Sequence, residues 1–263
     1  MQISFVSASY VCDAIGYPGV QFNWGEAERV TTERATPQVF AELLDRLKPA
    51  RLDAVEVWKA HAGPWTWKLA DFVALRQLIE QRGLSVVSFA SGLGDAREDL
   101  DRTEVTFQAA RALGAPVIAD WIDRDMAAKI YPLCRKYGIK VGVENHPEKT
   151  AAELLETIRG YENWIGVTID TGNMAAAGGD PVQAIYELQG HIIHVHFKDI
   201  LPDGGHRCCA LGKGVVDVKG IVKALKAIGY DGPLSIEIET GDHDPTEEII
   251  ESAQAIRSLL SSS

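Results

Sequence analysis

The feature of this sequence that most constrains its fold is an alternation of short β-branched, apolar runs with longer runs of helical period. Each apolar run fits a buried strand, and the apolar residues of each longer run recur every three or four positions. The predicted strands are Ile3–Ser7, Ala54–Val57, Ser85–Phe89, Pro116–Ala119, Lys140–Glu144, Gly166–Asp170, Ile192–His196 and Leu234–Glu237. The predicted helices are Gln38–Leu47, Leu69–Gln81, Arg97–Leu113, Met126–Tyr137, Ala151–Ile158, Pro181–Leu188, Val218–Ile228 and Thr246–Leu260. Such an alternation is typical of βα units that form a parallel sheet.

The number of these units indicates the architecture. Eight βα units can be counted, which predicts a (β/α)8 TIM barrel of the α/β class, and barrels of ~250 residues fold as one unit. No linker or abrupt change in charge divides the chain, so we expect residues 1–263 to form a single domain. The alternative is a doubly wound sheet, but segment 7–10 after the first strand lacks the G-x-G-x-x-G turn of a dinucleotide site.

Composition restricts the class of partner. The chain has 26 Lys and Arg against 37 Asp and Glu, a formal net charge of −11, which argues against nucleic acid because phosphate binding depends on basic residues. No apolar run approaches the ~20 residues of a membrane-spanning helix, and the N-terminus has no signal-peptide pattern. The four cysteines form no C-x-x-C pair, which fits a reducing compartment. We expect a cytoplasmic enzyme without nucleic-acid or membrane partners, with homo-oligomerisation left open.

Potential metal ligands follow four consecutive predicted strands. In a barrel, functional groups stand at the C-terminal ends of the strands, so these side chains can converge on one point. The candidates are Glu144, Asp170, either His194 or His196, and either Glu237 or Glu239. Three carboxylates and one imidazole suit a divalent ion with open coordination positions, because a closed zinc site would favour thiolates. We expect one such ion, Mn²⁺ in the first place, with Co²⁺, Mg²⁺ and Zn²⁺ as alternatives.

These motifs give the chain a family resemblance. The motifs are Glu144, Asp170-Thr171-Gly172-Asn173, His194-x-His196-x-Lys198-Asp199 and Glu237. The sequence resembles the xylose isomerase-like TIM-barrel superfamily, in particular its sugar and sugar-phosphate isomerase/epimerase branch. The resemblance implies that the metal ligands are Glu144, Asp170, His196 and Glu237. It also implies that the two glutamates flank the substrate and exchange its proton, which makes both catalytic candidates.

The chain departs from ketose 3-epimerases at two positions. Asn173 stands where they have a substrate-binding His three residues after the Asp ligand, and their Arg beyond the His ligand has no counterpart nearer than Arg207. We expect Asn173, Lys198 and Arg207 to contact the substrate. His146 is an alternative base, since a bound cation lowers the basicity of a carboxylate ligand.

An aromatic loop after the second strand is a further candidate for substrate binding. Trp58, Trp65 and Trp67 fall within ten residues, close to His61. Aromatic faces stack on the apolar faces of sugar rings, so we expect His61, Trp65 and Trp67 to contact substrate. The alternative is that at least one of these tryptophans only fills the top of the barrel.

The predicted activity is that of a divalent-metal-dependent isomerase or epimerase acting on a keto sugar or related polyol. A metal-bound enediolate, formed by removal of the proton next to the carbonyl, would be the shared intermediate. The alternative is a metal-dependent lyase that cleaves a 3-keto-glycoside by β-elimination from the same intermediate. A third possibility is a metal- or sugar-binding protein without turnover.

Overall fold

The computed structural model of the chain describes residues 1–90, 92–94, 96–202 and 207–262. Within these residues, eight parallel strands form one sheet. They are β1 (Gln2–Phe5), β2 (Ala54–Trp58), β3 (Ser85–Ala90), β4 (Val117–Asp120), β5 (Lys140–Glu144), β6 (Ile165–Asp170), β7 (Ile192–Phe197) and β10 (Pro233–Ile236). Two further short strands, β8 (Asp199–Ile200) and β9 (Cys208–Cys209), pair antiparallel beside the sheet.

Helices connect the strands in the order expected of a barrel. They are α1 (Trp24–Arg34), α2 (Pro37–Arg46), α3 (Leu69–Glu80), α4 (Leu100–Leu113), α5 (Arg124–Tyr137), α6 (Ala151–Ile158), α7 (Thr171–Ala176), α8 (Pro181–Glu187), α9 (Val218–Ala227) and α10 (Thr246–Ser261). The cap residues of α4 illustrate how the sequence sets the bounds of a helix. Asp99 accepts a hydrogen bond from the backbone N–H of Arg102 at its start, and Gly114 takes a left-handed φ of 83° at its end. No helix of the described residues is long and apolar enough to cross a membrane.

The sheet closes on itself almost completely. Its strand order is β1-β10-β7-β6-β5-β4-β3-β2, so β1 and β2 are the two edges. A parallel bridge between Val6 and Glu56 joins these edges, and the N–H of Asp53 donates to the carbonyl of Ile3 at 2.8 Å. The predicted (β/α)8 barrel is therefore confirmed, and the ends of its strands meet at one mouth.

The sequence prediction missed four elements, namely two helices and two short strands. Helix α1 buries only Ala27 and Thr31, so it has no apolar stripe of helical period to detect. Helix α7 is six residues long and follows β6 directly. The pair β8–β9 has two residues in each strand. These elements matter because α1 and α7 contribute to the walls of the barrel mouth.

The barrel interior below the mouth is polar as well as apolar. Ser4, Glu56, His194 and Ser235 are all fully buried, and hydrogen bonds connect them across the barrel. Gly142 allows the side chain of Thr168 on the neighbouring strand to approach closely, because a Cβ at position 142 would lie 2.1 Å from Oγ1 of Thr168. The most buried layer of the barrel thus holds titratable groups directly beneath the strand ends.

Candidate active site

Four side chains converge at the mouth of the barrel. Glu144 ends β5, Asp170 ends β6, His196 lies near the end of β7 and Glu237 follows β10. One potential ligand atom of each lies within 4.8 Å of the corresponding atoms of the other three. The Nδ1 atom of His196 is 3.1 Å from Oε1 of Glu144 and 3.2 Å from Oε2 of Glu237. These are the four residues that the family resemblance implies as ligands.

The geometry of the cluster fits a divalent ion. Two ligands of one ion, each at ~2.0–2.2 Å, lie about 2.9–3.5 Å apart at octahedral or tetrahedral angles, and the two distances from His196 fall in this range. Oδ2 of Asp170 and Oε2 of Glu237 are buried and make no hydrogen bond among the described residues, but both lie within ion-pair distance of Nζ of Lys198. Buried oxygen atoms of this kind require a cation or donor to compensate their desolvation. The donor set of three carboxylates and one imidazole suits a divalent ion, which would share the charge of these oxygens with Lys198.

The electrostatics of the cluster also favour added positive charge. Burial raises the pKa of Asp170 to about 6, against the lowering influence of Lys198, and the charges of Glu237 and Glu144 add to the rise. Burial alone would lower the pKa of His196, but Glu56, Glu237 and Glu144 hold it well above its ordinary value. The contributions of the neighbouring carboxylates to both pKa values indicate a concentration of negative charge at the mouth.

Lys198 partly compensates this charge. Its buried Nζ lies 3.0 Å from Oδ2 of Asp170, 3.2 Å from Oε2 of Glu237 and 3.1 Å from Oε2 of Glu239. Burial raises the pKa of Glu239 to about 7, opposed by Lys198 and reinforced by Glu237. Lys198, which the sequence predicts to contact substrate, thus lies between the proposed ligands Asp170 and Glu237 and the carboxylate of Glu239.

Asp199, the neighbour of Lys198, anchors the loop that follows β7. Its buried carboxylate accepts hydrogen bonds from the backbone N–H groups of Gly212 and Gly214, both at 2.9 Å, and of Val216 at 3.0 Å. These bonds tie the returning chain to the end of β7. They keep the backbone beside Lys198 in place, which fixes where the ammonium can reach.

Asn145 fixes the backbone of Asp170. Its side-chain amide donates to the carbonyl of Asp170 at 3.0 Å and accepts from the N–H of Asp170 at 2.9 Å. Oδ1 of Asp170 in turn accepts from the N–H of Asn173 at 2.8 Å, which caps α7. One oxygen of Asp170 is therefore used in the fold, while Oδ2 faces the cluster. Asn145 was missed as a site residue because its role depends on a contact with the neighbouring strand.

His146 lies at the rim of the mouth. Its side chain is half exposed, and its Nε2 is 3.9 Å from Oε1 of Glu144. Burial alone would lower the pKa of His146, but the charges of Glu144 and Asp170 raise it above the ordinary value. The imidazole is thus within reach of the cavity without belonging to the cluster.

Three members of the cluster, Glu144, His196 and Glu237, line a cavity of about 360 Å³. Asn173, Lys198 and His146 line it, together with residues that the sequence reasoning did not select. The latter are Val6, Ala8, Trp24, Glu28, Trp58, Lys59, Ala90, Asp120 and Glu239. The rings of Trp24 and Trp58 meet edge to face at 5.8 Å, and Nζ of Lys59 lies 2.6 Å from Oε1 of Glu28. One wall is therefore aromatic and another carries an ion pair.

His61, Trp65 and Trp67 do not line this cavity, contrary to the expectation from the sequence. His61 is buried, with Nδ1 3.2 Å from Oγ of Ser7. Trp65 packs under the guanidinium of Arg102, 4.1 Å from its ring, and Trp67 packs on Phe72. The physical reason is that these three rings pack on Ser7, Arg102 and Phe72, and these contacts direct them away from the cavity.

Trp58, at the end of β2, is the tryptophan of this region that faces the cavity. Arg207 lines an adjacent cavity of about 370 Å³, which shares Trp24 and Glu239 with the first. Both residues are thus close to the mouth, Trp58 in its wall and Arg207 beyond it.

The fold and the cluster define a TIM barrel with a candidate metal centre. Comparison with known proteins assigns the chain to a family. A family model described as xylose isomerase-like TIM barrel matches residues 44–259. Because this match covers most of the chain, the protein belongs to the xylose isomerase-like TIM-barrel family.

Individual relatives include sugar epimerases. The L-ribulose-5-phosphate 3-epimerase UlaE of Shigella flexneri serotype 5b (strain 8401) is 33% identical over 99 residues, which are 37% of this chain and 34% of that protein. The match thus spans about a third of the relative's length.

Solved structures match over nearly the whole chain. A structure of L-ribulose 3-epimerase has a TM-score of 0.69 at 21% identity, covering 98% of this chain and 94% of that one. The IOLI protein, crystallised with a bound zinc atom, has a TM-score of 0.70 at 15% identity, covering 99% and 98%. At these identities the likeness establishes the fold.

Proposed function

We propose that the protein is a divalent-metal-dependent sugar isomerase or epimerase that acts on a keto sugar. The observation that carries the proposal is the cluster of Glu144, Asp170, His196 and Glu237, three of which line the cavity at the barrel mouth. The names of the epimerase relatives support the same reaction class.

A divalent ion held by these four residues would polarise the carbonyl of a keto sugar and so acidify the neighbouring C–H bond. Glu144 and Glu237 come from strands that β6 and β7 separate in the sheet. One carboxylate can therefore take the proton from one side of the carbon while the other delivers a proton from the opposite side. The C–H electron pair moves towards the carbonyl oxygen and returns when the new C–H bond forms.

Lys198 supplies the fixed positive charge for this step. Its Nζ lines the cavity and already faces Oε2 of Glu237 at 3.2 Å. A donor held in place near an oxygen that gains negative charge lowers the barrier without reorganisation. His146, at the rim, is an alternative carrier for the proton. It is not a proposed metal ligand, so a bound cation would not lower its basicity by coordination.

The walls of the cavity suit a sugar. Its volume of about 360 Å³ falls within the usual range for small-molecule sites. Trp24 and Trp58 offer apolar faces, while the Lys59–Glu28 pair and Asn173 offer donors and acceptors for hydroxyl groups. We propose these residues as the contacts that hold the ring.

The choice of metal follows from the donors. Three carboxylates and one imidazole suit Mn²⁺, with Co²⁺, Mg²⁺ and Zn²⁺ as alternatives. Elemental analysis of the purified protein, followed by reloading with each ion, identifies the one that supports turnover.

A second candidate reaction is β-elimination from a 3-keto-glycoside. The observation that favours it is the adjacent cavity of about 370 Å³, which shares Trp24 and Glu239 with the first and would accommodate a second substituent on the sugar. The same proton removal would then break the bond to the aglycone instead of returning a proton.

One experiment separates these reactions. Metal-loaded protein is incubated in D₂O with free ketoses and with 3-keto-glycosides, and the products are examined by NMR. Deuterium next to the carbonyl of an unbroken ketose is the expected result, and release of an aglycone would establish the elimination instead. A protein carrying E144Q and E237Q is the control that should exchange no deuterium. Binding without either reaction would indicate a sugar-binding protein without turnover and would contradict the proposal.

A further inference from the structure

A carboxylate from the opposite side of the barrel lies beneath the proposed metal centre. Glu56, on β2, is fully buried, and its Oε1 is 3.0 Å from Nε2 of His196. Its Oε2 is 2.5 Å from Nε2 of His194. Both contacts cross the barrel interior, since β2 and β7 are not neighbours in the sheet.

The hydrogen-bonding capacity of these groups fixes their protonation pattern. An ionised carboxylate accepts hydrogen bonds but donates none, so each imidazole must present its Nε2–H to Glu56. In neutral His196 the unprotonated atom is then Nδ1. This is the atom that lies 3.1 Å from Glu144 and 3.2 Å from Glu237. Contact with Glu56 therefore selects the form of the imidazole that can bind a cation.

Glu56, His194 and His196 are close enough to be considered as ion ligands themselves. The contact of 2.5 Å between Glu56 and His194 argues against this, because two ligands of one ion lie about 2.9–3.5 Å apart for bonds of ~2.0–2.2 Å. That contact is a hydrogen bond.

Further hydrogen bonds fix His194, the second partner of Glu56. Nε2 of His194 also lies 3.2 Å from Oγ of Ser235, which is 2.7 Å from Oγ of Ser4. The chain Ser4–Ser235–His194–Glu56 thus spans the interior and ends on His196. A buried carboxylate with two imidazole partners is firmly placed, since losing either partner would leave a charge or a donor unsatisfied.

We propose that Glu56 is a positioning residue for the metal centre: it accepts the Nε2–H of His196 and thereby aims Nδ1 at the ion shared with Glu144, Asp170 and Glu237. This inference rests on the proposed metal dependence. A carboxylate that holds a ligating imidazole in this way typically affects metal affinity 10–100-fold.

The test compares metal affinity in variants of Glu56. Mn²⁺ and Co²⁺ are titrated into chelator-treated full-length protein by calorimetry, and the visible spectrum of the Co²⁺ form is recorded. E56L removes the acceptor and should weaken binding by about 10–100-fold and alter the Co²⁺ spectrum. E56Q should bind within about threefold of the unsubstituted protein, because its amide oxygen still accepts from His196.

The rescue by E56Q has a structural basis at His194. The amide nitrogen that E56Q introduces would face Nε2 of His194, which must then become an acceptor. His194 can move its proton to Nδ1, because that atom has no partner among the described residues. A role in packing alone would not distinguish E56L from E56Q in this way.

Two further variants complete the design. E56D keeps the negative charge, but its shorter side chain places the carboxylate farther from His196. We therefore expect it to weaken metal binding as E56L does. E56D also provides a test if E56L does not fold. S235A removes the contacts of Ser235 Oγ with His194 and Ser4 but leaves the contact between Glu56 and His196, so it should leave affinity unchanged. Thermal unfolding without metal reports the stability of each variant. Unchanged affinity in E56L or E56D, with the unsubstituted protein binding metal, would overturn this inference alone. Failure of the unsubstituted protein to bind either ion would overturn the metal-dependent function as well.

Discussion

The two halves of the barrel mouth differ in what they contribute. Strands β5, β6, β7 and β10 carry the titratable cluster of Glu144, Asp170, His196 and Glu237. Strands β1 to β4, with helix α1, carry mainly the walls, including Trp58 and Trp24. Under the proposed function, the first half would perform the chemistry and the second would select substrates by their shape.

The halves also differ in how they are held. The cluster stands on or beside strands whose ladder hydrogen bonds fix its positions. The wall depends partly on α1, which makes two contacts with the end of β2 and the residue after it. Trp24 packs edge to face on Trp58, and Glu28 forms an ion pair with Lys59. A partly buried surface ion pair such as Lys59–Glu28 and a single aromatic contact are each worth about 1 kcal/mol. The wall can therefore rearrange at a lower cost in free energy than the cluster.

The largest expected effect is the loss of a ligand in the chemical half. E144A, D170A, H196A and E237A should each lose bound metal and lower kcat/KM by at least about 10³-fold, since Lewis-acid stabilisation is worth several kcal/mol. Metal content per chain and initial rates measure both effects. H194A should retain more metal than H196A, and full occupancy in any two of the four variants would refute the ligand assignment.

A second substitution in the same half separates charge stabilisation from metal binding. K198M should keep the metal but lower kcat/KM by about 10²–10³-fold, as expected for loss of a fixed donor at a developing negative charge. Steady-state kinetics with parallel metal analysis measure this. A rate within about threefold of the unsubstituted enzyme would show that Lys198 only balances the charge of its neighbours.

The pH dependence of stability probes a carboxylate of the other half. Burial raises the pKa of Asp120 to about 6, with the N–H of Leu93 opposing and Glu144 reinforcing the rise. A raised carboxyl pKa favours the protonated folded state, so the free energy of unfolding should fall as the pH rises from about 4 to about 6. Metal-free D120N should lack this component, and its stability relative to the unsubstituted protein should grow by about 2–3 kcal/mol across that interval. Urea unfolding at several pH values tests the sign; a constant difference would contradict it.

The smallest expected effect concerns the aromatic wall. W24A and W58A should each raise KM by about 5–15-fold with kcat little changed, as for loss of a contact worth ~1–1.5 kcal/mol. W65A is the matched control, since Trp65 packs on Arg102 outside the cavity. A larger rise of KM in W65A than in W58A would contradict this prediction and support the expectation from the sequence that Trp65 contacts substrate.

The fold was predictable because its periodicity is strong. The strand Lys140–Glu144 and the helix Ala151–Ile158 have the predicted bounds, and the other predicted strands lie within one or two residues of the observed ones. Helix α1 could not be found in this way because its buried residues form no apolar stripe. The consequence is that Trp24 and Glu28, which it carries into the cavity wall, were missed.

The chemical half was likewise more predictable than the wall. A side chain at a strand end is placed at the mouth by the barrel itself, so the positions of Glu144 and Asp170 required only the strand assignment. His194 and His196 share a strand face, and the difference in depth that directs His194 to Glu56 and Ser235 is a tertiary property. Whether a tryptophan after β2 faces the cavity or the helices depends on contacts that no local pattern encodes.

The most direct test of the central claim is the position of the ion. Crystals of the protein grown with Mn²⁺ and a ketose can be examined in anomalous difference maps. We expect one strong peak within about 2.0–2.4 Å of a ligand atom of each of Glu144, Asp170, His196 and Glu237. A peak between Glu56, His194 and His196 instead, or none at the barrel mouth with Mn²⁺ in excess, would contradict it.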